Sequence, residues 1–226
     1  MNENALAMIL VLAAIFLSLY AQLKVQMTYS KYSKVANRMG ISGVELAQDV
    51  LNRNGYDDIS LRAGGGVLSD HFDPRTKTIS LSPTIYNGKS IASLAIAAHE
   101  CGHVIQHQSQ YAALTLRNKL LPSAIVASNL GWLAILIGLS TGILSLFYLG
   151  LILMAIIALF QVVTLPIEFD ASKRALSLLK DNGYIVNEEV GAAKKLLDAA
   201  ALTYIAALVG TILNIIRLLA LTRRRG

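Results

Sequence analysis

The chain has a single cysteine, Cys101, in 226 residues, which excludes an intrachain disulfide. Charge is scarce as well: Asp, Glu, Lys and Arg together make up 15%, where soluble domains carry about 25%. Hydrophobic residues reach 54% and the mean hydropathy is positive. That balance points to a membrane protein before any segment is considered. Acidic groups are the rarer sign, 14 against 20 basic, for a net charge of +6. The basic residues are not interleaved with a polar, aromatic surface; they flank apolar runs. They therefore read as topology determinants and not as a phosphate-binding face, so the bilayer is an expected partner and nucleic acid is not. There is no sustained internal repeat and no low-complexity tract.

The apolar runs set the organisation. Ala5 to Leu23 is broken only by Ser18 and Gln22, about the roughly 20 residues a bilayer crossing needs. No basic residue precedes it and no A-x-A-like site follows it, so residues 1–23 are expected to be a retained anchor and not a cleaved signal. Residues 24–120 are mixed and charged, as in a cytoplasmic α+β region. Ser42 and Glu45 form the capping box of a helix ending near Asn54-Gly55. The stretch DISLRAGGGVLSDHFDPRTKTISLS reads as short strands joined by turns, with TKTISLS the best strand, ended by Pro83. A helical pattern returns from about Lys89 to His107. Residues 120–167 hold no charge at all, twice one crossing, so a hairpin of two helices over 121–165 is expected, turning near Ser140 to Ser145. A new amphipathic helix follows Pro166 and ends at Gly183, another starts near Asn187, and residues 199–221 form a fourth crossing; 166–198 lie with 24–120. The expected fold is thus a mainly α membrane protein with about four crossings and a small α+β region carrying a short sheet. Lys and Arg number eleven in 24–120, five in 166–198 and four in 217–226. The positive-inside rule puts the first two regions in the cytoplasm of a multi-pass cell-membrane protein. The Arg223–Arg225 tail conflicts with that count: either the majority sets the topology, the reading preferred here, or the last helix does not fully cross.

Against this background, AAHECGHVIQH concentrates three of the four histidines. His99-Glu100-x-x-His103 is an HExxH motif. Residues four apart share a helix face, so two imidazoles can grip one metal ion. Glu100, about 100° round the helix, is placed to act on a metal-activated water as general base. Zinc suits this chemistry because it takes nitrogen and oxygen ligands and keeps a position open. Small Ala97, Ala98 and Gly102 permit close packing around the helix. A third ligand must come from the same side of the membrane. Glu168, just after the charge-free tract, qualifies because two crossings return the chain to its starting side; the alternative is that it only marks the membrane boundary.

AAHECGHVIQH followed by a membrane hairpin and PIEFDASKRAL, with LSDHFDP and ISLSPTIY before it, resembles the YugP-like neutral zinc metallopeptidases of bacterial membranes over nearly the whole chain. More distantly the chain is similar to the HtpX and CAAX-protease clan of gluzincins. The resemblance implies one zinc ion on His99, His103 and Glu168, with Glu100 as catalytic base. The distant clan's E-x-x-A-D motif is only partly matched. Ala171 fits, but Ser172 stands in the fourth place and a regular helix turns Asp170, two residues after Glu168, away, so both remain only candidate substrate or second-layer residues.

Other polar residues are weaker candidates. His107 lies near the His103 face, as a second-layer or substrate group or as a plain interfacial histidine. His71 can stabilise an oxyanion or bind substrate, or sit beside a turn capped by Asp70 and Asp73. Arg174 pairs with Asp170, polarises a carbonyl, or is a flanking charge. Cys101 points away from the metal face. If TKTISLS is an exposed sheet edge, a peptide can add to it as a strand. The expected function is a membrane-anchored zinc endopeptidase acting on proteins or peptides, membrane proteins among them. The rival is a non-catalytic zinc-binding scaffold or subunit. An intramembrane protease fits less well because polar Gln106, His107, Gln108 and Gln110 follow the motif. A transporter fits less well because ionisable residues are nearly absent from the spans.

Overall fold

The computed structural model describes residues 3–66 and 69–222. The Arg223–Arg225 tail, and Val67 and Leu68 ahead of SDHFDP, lie outside the described residues. The chain is mainly helical. In order it forms α1 (Glu3–Tyr32), α2 (Gly43–Arg53), β1 (Ser60–Ala63), β2 (His71–Asp73), β3 (Thr78–Leu81), α3 (Pro83–Tyr86), α4 (Ile91–Gln108), α5 (Ala112–Thr141), α6 (Leu144–Asp181) and α7 (Asn187–Thr222). It divides into two compact units.

One unit comprises Met1–Gln22, Ala112–Pro166 and Leu202–Gly226. α1, α5, α6 and α7 are each long and apolar enough to cross a membrane. Their outward faces show why water is the wrong solvent for them. Phe16 is 72% exposed, Leu136 61% and Ile152 59%, and each such side chain forgoes about 1.5–3 kcal/mol if left in water. Within the unit α5 and α6 meet through small residues. A Cβ on Gly138 would lie 2.5 Å from the Phe147 nitrogen, and one on Gly150 would lie 2.9 Å from the Gly131 oxygen. Close backbone approach of this kind is how helices associate in lipid, where no hydrophobic drive is available. The hairpin turn is Gly142, at φ +78°, within the stretch where the sequence places it.

Two helix boundaries differ from expectation. The first apolar helix does not end at Leu23 but continues to Tyr32, because residues 24–32 contain no Gly or Pro to stop it. Nor does a separate helix begin after Pro166: α6 runs unbroken from Leu144 to Asp181 with Pro166 inside it. Proline removes one N–H and crowds one carbonyl. An apolar helix tolerates this because every backbone bond kept internal avoids desolvated polar groups.

The other unit comprises Leu23–Tyr111 and Ile167–Ala201. Its sheet has the order β1-β3-β2, with β1 parallel and β2 antiparallel to β3. The capping box is present: Glu45 N–H donates to Ser42 Oγ at 3.3 Å and Ser42 N–H to Glu45 Oε2 at 2.6 Å. Pro83 sits at the first turn of the short helix α3, where its missing N–H costs nothing. α4 is mostly buried, at 12 of its 18 residues. Its Leu94, Ala98, Cys101 and Val104 share one core with Leu46 and Val50 of α2, Ile79 and Leu81 of β3, and Ala175 and Leu179 of α6.

Candidate active site

α4 and the 167–181 part of α6 build the site together. They are brought into backbone contact by a glycine: a Cβ on Gly102 would lie 2.7 Å from the Ala171 carbonyl oxygen. At that separation side chains one turn away on each helix meet. His99 Nε2 lies 3.5 Å from Glu168 Oε2, and His103 Nε2 lies 3.8 Å from the same oxygen. The ligand atoms of the three residues all fall within 4.8 Å of one another, and the two imidazoles stand edge to face at 82° with centroids 4.7 Å apart. Ligand atoms about 2.0–2.2 Å from a tetrahedral zinc are themselves about 3.3–3.6 Å apart. The donor set of two imidazole nitrogens and one carboxylate oxygen, partly buried and within 4.8 Å of one another, fits zinc.

Glu100 is buried, 6% exposed. Burial pushes its carboxyl up to about 7; the His103 ring opposes this, Glu168 and Asp70 reinforce it, and His71 opposes it weakly. Asp70 accepts from Ser82 N–H at 2.7 Å, fixing the segment ahead of β2 to the end of β3. His71 is exposed and its Nδ1 lies 2.8 Å from the Ser69 carbonyl oxygen. A carbonyl only accepts, so Nδ1 carries the proton and Nε2 keeps its lone pair.

The remaining candidates separate. Ser172 Oγ is 3.4 Å from His99 Nδ1, so the residue in the fourth place of the partial motif stands behind a histidine. Asp170 contacts neither histidine directly but is linked to one through a glutamine: its Oδ2 accepts from Gln106 Nε2 at 2.8 Å, and Gln106 Oε1 lies 3.0 Å from His103 Nδ1. Arg174 Nε donates to Asp170 Oδ2 at 2.6 Å, which is the pairing alternative. His107 is outside the ligand cluster, tilted against Phe72 with ring centroids 5.7 Å apart. Cys101 is fully buried and burial pushes its thiol up, away from reactivity. Gln106 is the residue that sequence reasoning missed. Its spacing three after His103 places both on one helix face, and that was the available signal.

The strand TKTISLS is not an edge. β3 is the central strand of the sheet, paired on both sides, so a peptide cannot add to it. β1 and β2 are the edges, and β2 packs beside α4.

Residues 7–223 match the family described as "Putative neutral zinc metallopeptidase". A protein of Bacillus subtilis (strain 168) named "Putative membrane protease YugP" is 42% identical over 208 residues, which cover 92% of this chain and 92% of that one. No solved structure matches the chain.

Proposed function

The chain belongs to the neutral zinc metallopeptidase family, and from that premise we propose that it is a membrane-anchored endopeptidase hydrolysing peptide bonds with Glu100 as general base. The observation that carries this is the convergence of His99, His103 and Glu168 within 4.8 Å, with the buried Glu100 carboxyl beside them. His99 and His103 through Nε2, and Glu168 through a carboxylate oxygen, would hold one zinc ion. When bound, zinc supplies a Lewis acid that polarises the scissile carbonyl and acidifies water. Glu100 takes the proton from the attacking water and returns it to the leaving amine. His71, exposed at the start of β2, contacts the substrate. A peptide adds to the free edge of β2, where main-chain pairing gives broad sequence tolerance. The distribution of Lys and Arg puts this chemistry on the cytoplasmic side. α4 is not among the four helices apolar enough to cross, which favours an interfacial site over an intramembrane one.

Glu100→Gln is expected to keep zinc by elemental analysis and to lose peptide hydrolysis by about 100-fold or more. Hydrolysis by the parent should also stop with chelator. A glutamine variant that cleaves as fast as the parent overturns the mechanism. A purified parent without zinc overturns the assignment of the site, and a parent that binds zinc without chelator-sensitive hydrolysis leaves the scaffold reading.

A further inference from the structure

We propose that Gln106 is a positioning residue that fixes the Nδ1-protonated tautomer of His103, so that His103 Nε2 keeps its lone pair on the side of Glu168. The inference rests on the zinc site described above for its consequence, but on hydrogen bonding alone for its cause.

Gln106 is fully buried, so each of its polar atoms must be matched inside the protein. Its Nε2 lies 2.8 Å from the Ile167 carbonyl oxygen and 2.8 Å from Asp170 Oδ2. Both are acceptors. Arg174 Nε, 2.6 Å from the same Asp170 oxygen, holds that carboxylate in place. An amide turned the other way would set its own oxygen against a carbonyl and a carboxylate, losing two hydrogen bonds in a site that water does not reach. The orientation of the amide is therefore decided by α6, and Oε1 must face His103 Nδ1, 3.0 Å away. An acceptor at that position requires a proton on Nδ1. Neutral imidazole carries one proton, so Nε2, 3.8 Å from Glu168 Oε2, is left as the ligand atom. His99 is held differently. Its Nδ1 faces the Ser172 hydroxyl at 3.4 Å, a rotor that donates or accepts and so selects no tautomer. The chain His103–Gln106–Asp170–Arg174 thus ties one proposed ligand of α4 to side chains of α6. It gives Asp170 a role through Gln106, without contact to the metal.

The test uses the full-length protein in detergent, labelled with ¹⁵N-histidine and stripped of metal, at about pH 8, above the ordinary histidine range. The ring nitrogen shifts of the parent should show His103, assigned from the spectrum of His103→Ala, as the Nδ1–H tautomer. An Nε2–H tautomer in the parent overturns the proposal without any variant. Gln106→Met keeps the volume and removes the acceptor. It should turn His103 into a mixture of tautomers, leave His71 unchanged, and raise the zinc dissociation constant about 10–100-fold. A Gln106→Met protein with the parent's His103 tautomer and the parent's zinc affinity also overturns it. If the parent binds no zinc, the reading of the site fails, while the tautomer of His103 still decides the role of Gln106.

Discussion

In the proposed mechanism Glu100 is the residue on which the chemistry turns, and its surroundings set a pH dependence in two states. Without metal, burial holds the folded carboxyl at about 7, above its ordinary 4.5. The folded state then binds this proton more tightly than the unfolded chain. The stability that the proton contributes is complete below about 4.5 and is lost as pH rises through about 7. Metal-free Glu100→Gln, which cannot titrate, should be more stable than the metal-free parent above pH 7, by at most about 3 kcal/mol. The gap should close toward about pH 4.5. Denaturant melts of both proteins across that range check this; a gap that does not change with pH overturns it. With a dication beside it the carboxylate is favoured, so the acid limb of the hydrolysis profile should lie below the metal-free value of about 7. Of the residues that the proposal uses, the sequence itself offers His99, Glu100, His103 and Glu168, because helical spacing and the count of crossings are local or additive properties. Gln106 was not, because its importance lies in which atoms of another helix it faces.

At the scale of elements, the approach of α4 to α6 is the feature that makes a site out of two helices. Gly102→Ala would force a methyl to 2.7 Å from the Ala171 carbonyl oxygen, backbone that cannot rotate aside. The alanine gains up to about 1 kcal/mol of helix propensity, while overpacking costs about 1–3 kcal/mol. The expected net result is destabilisation, with α6 displaced from α4 and zinc affinity reduced. Gly191 in α7 is the control: nothing lies within 4 Å of its added Cβ, so Gly191→Ala should stabilise by about 0.5–1 kcal/mol. Denaturation midpoints of the pair, with zinc titrations of each, test this; equal effects of the two substitutions would show that the close approach is not needed. The capping box at Ser42 and the turn at Gly142 were legible, since both are set by residues within a few positions. Strand order was not. TKTISLS has the alternation of a half-buried strand, but its central place depends on parallel pairing with β1 across a long connection, which no local pattern encodes.

For the whole molecule, the prediction concerns sidedness. The sole cysteine, Cys101, is buried, so a cysteine placed elsewhere reports without background. Thr76 is exposed in the turn between β2 and β3. In Thr76→Cys, a membrane-impermeant maleimide should label inverted vesicles and leave intact cells unlabelled. Labelling of intact cells would move the 24–120 region to the outer face and reverse the topology drawn from the basic residues. The apolar faces of α1, α5 and α6 remain exposed in this chain, so the bilayer acts as their solvent.

The sequence alone determined the solvent, the number of long apolar helices and the motif, because hydropathy, helix period and charge counts depend only on which residues follow one another. The tertiary structure decided which strand is central and that Pro166 lies within a helix. It also decided that a buried glutamine joins His103 to Asp170. These depend on distances between segments far apart in the chain, and those distances are set by close packing, down to the missing side chain of Gly102.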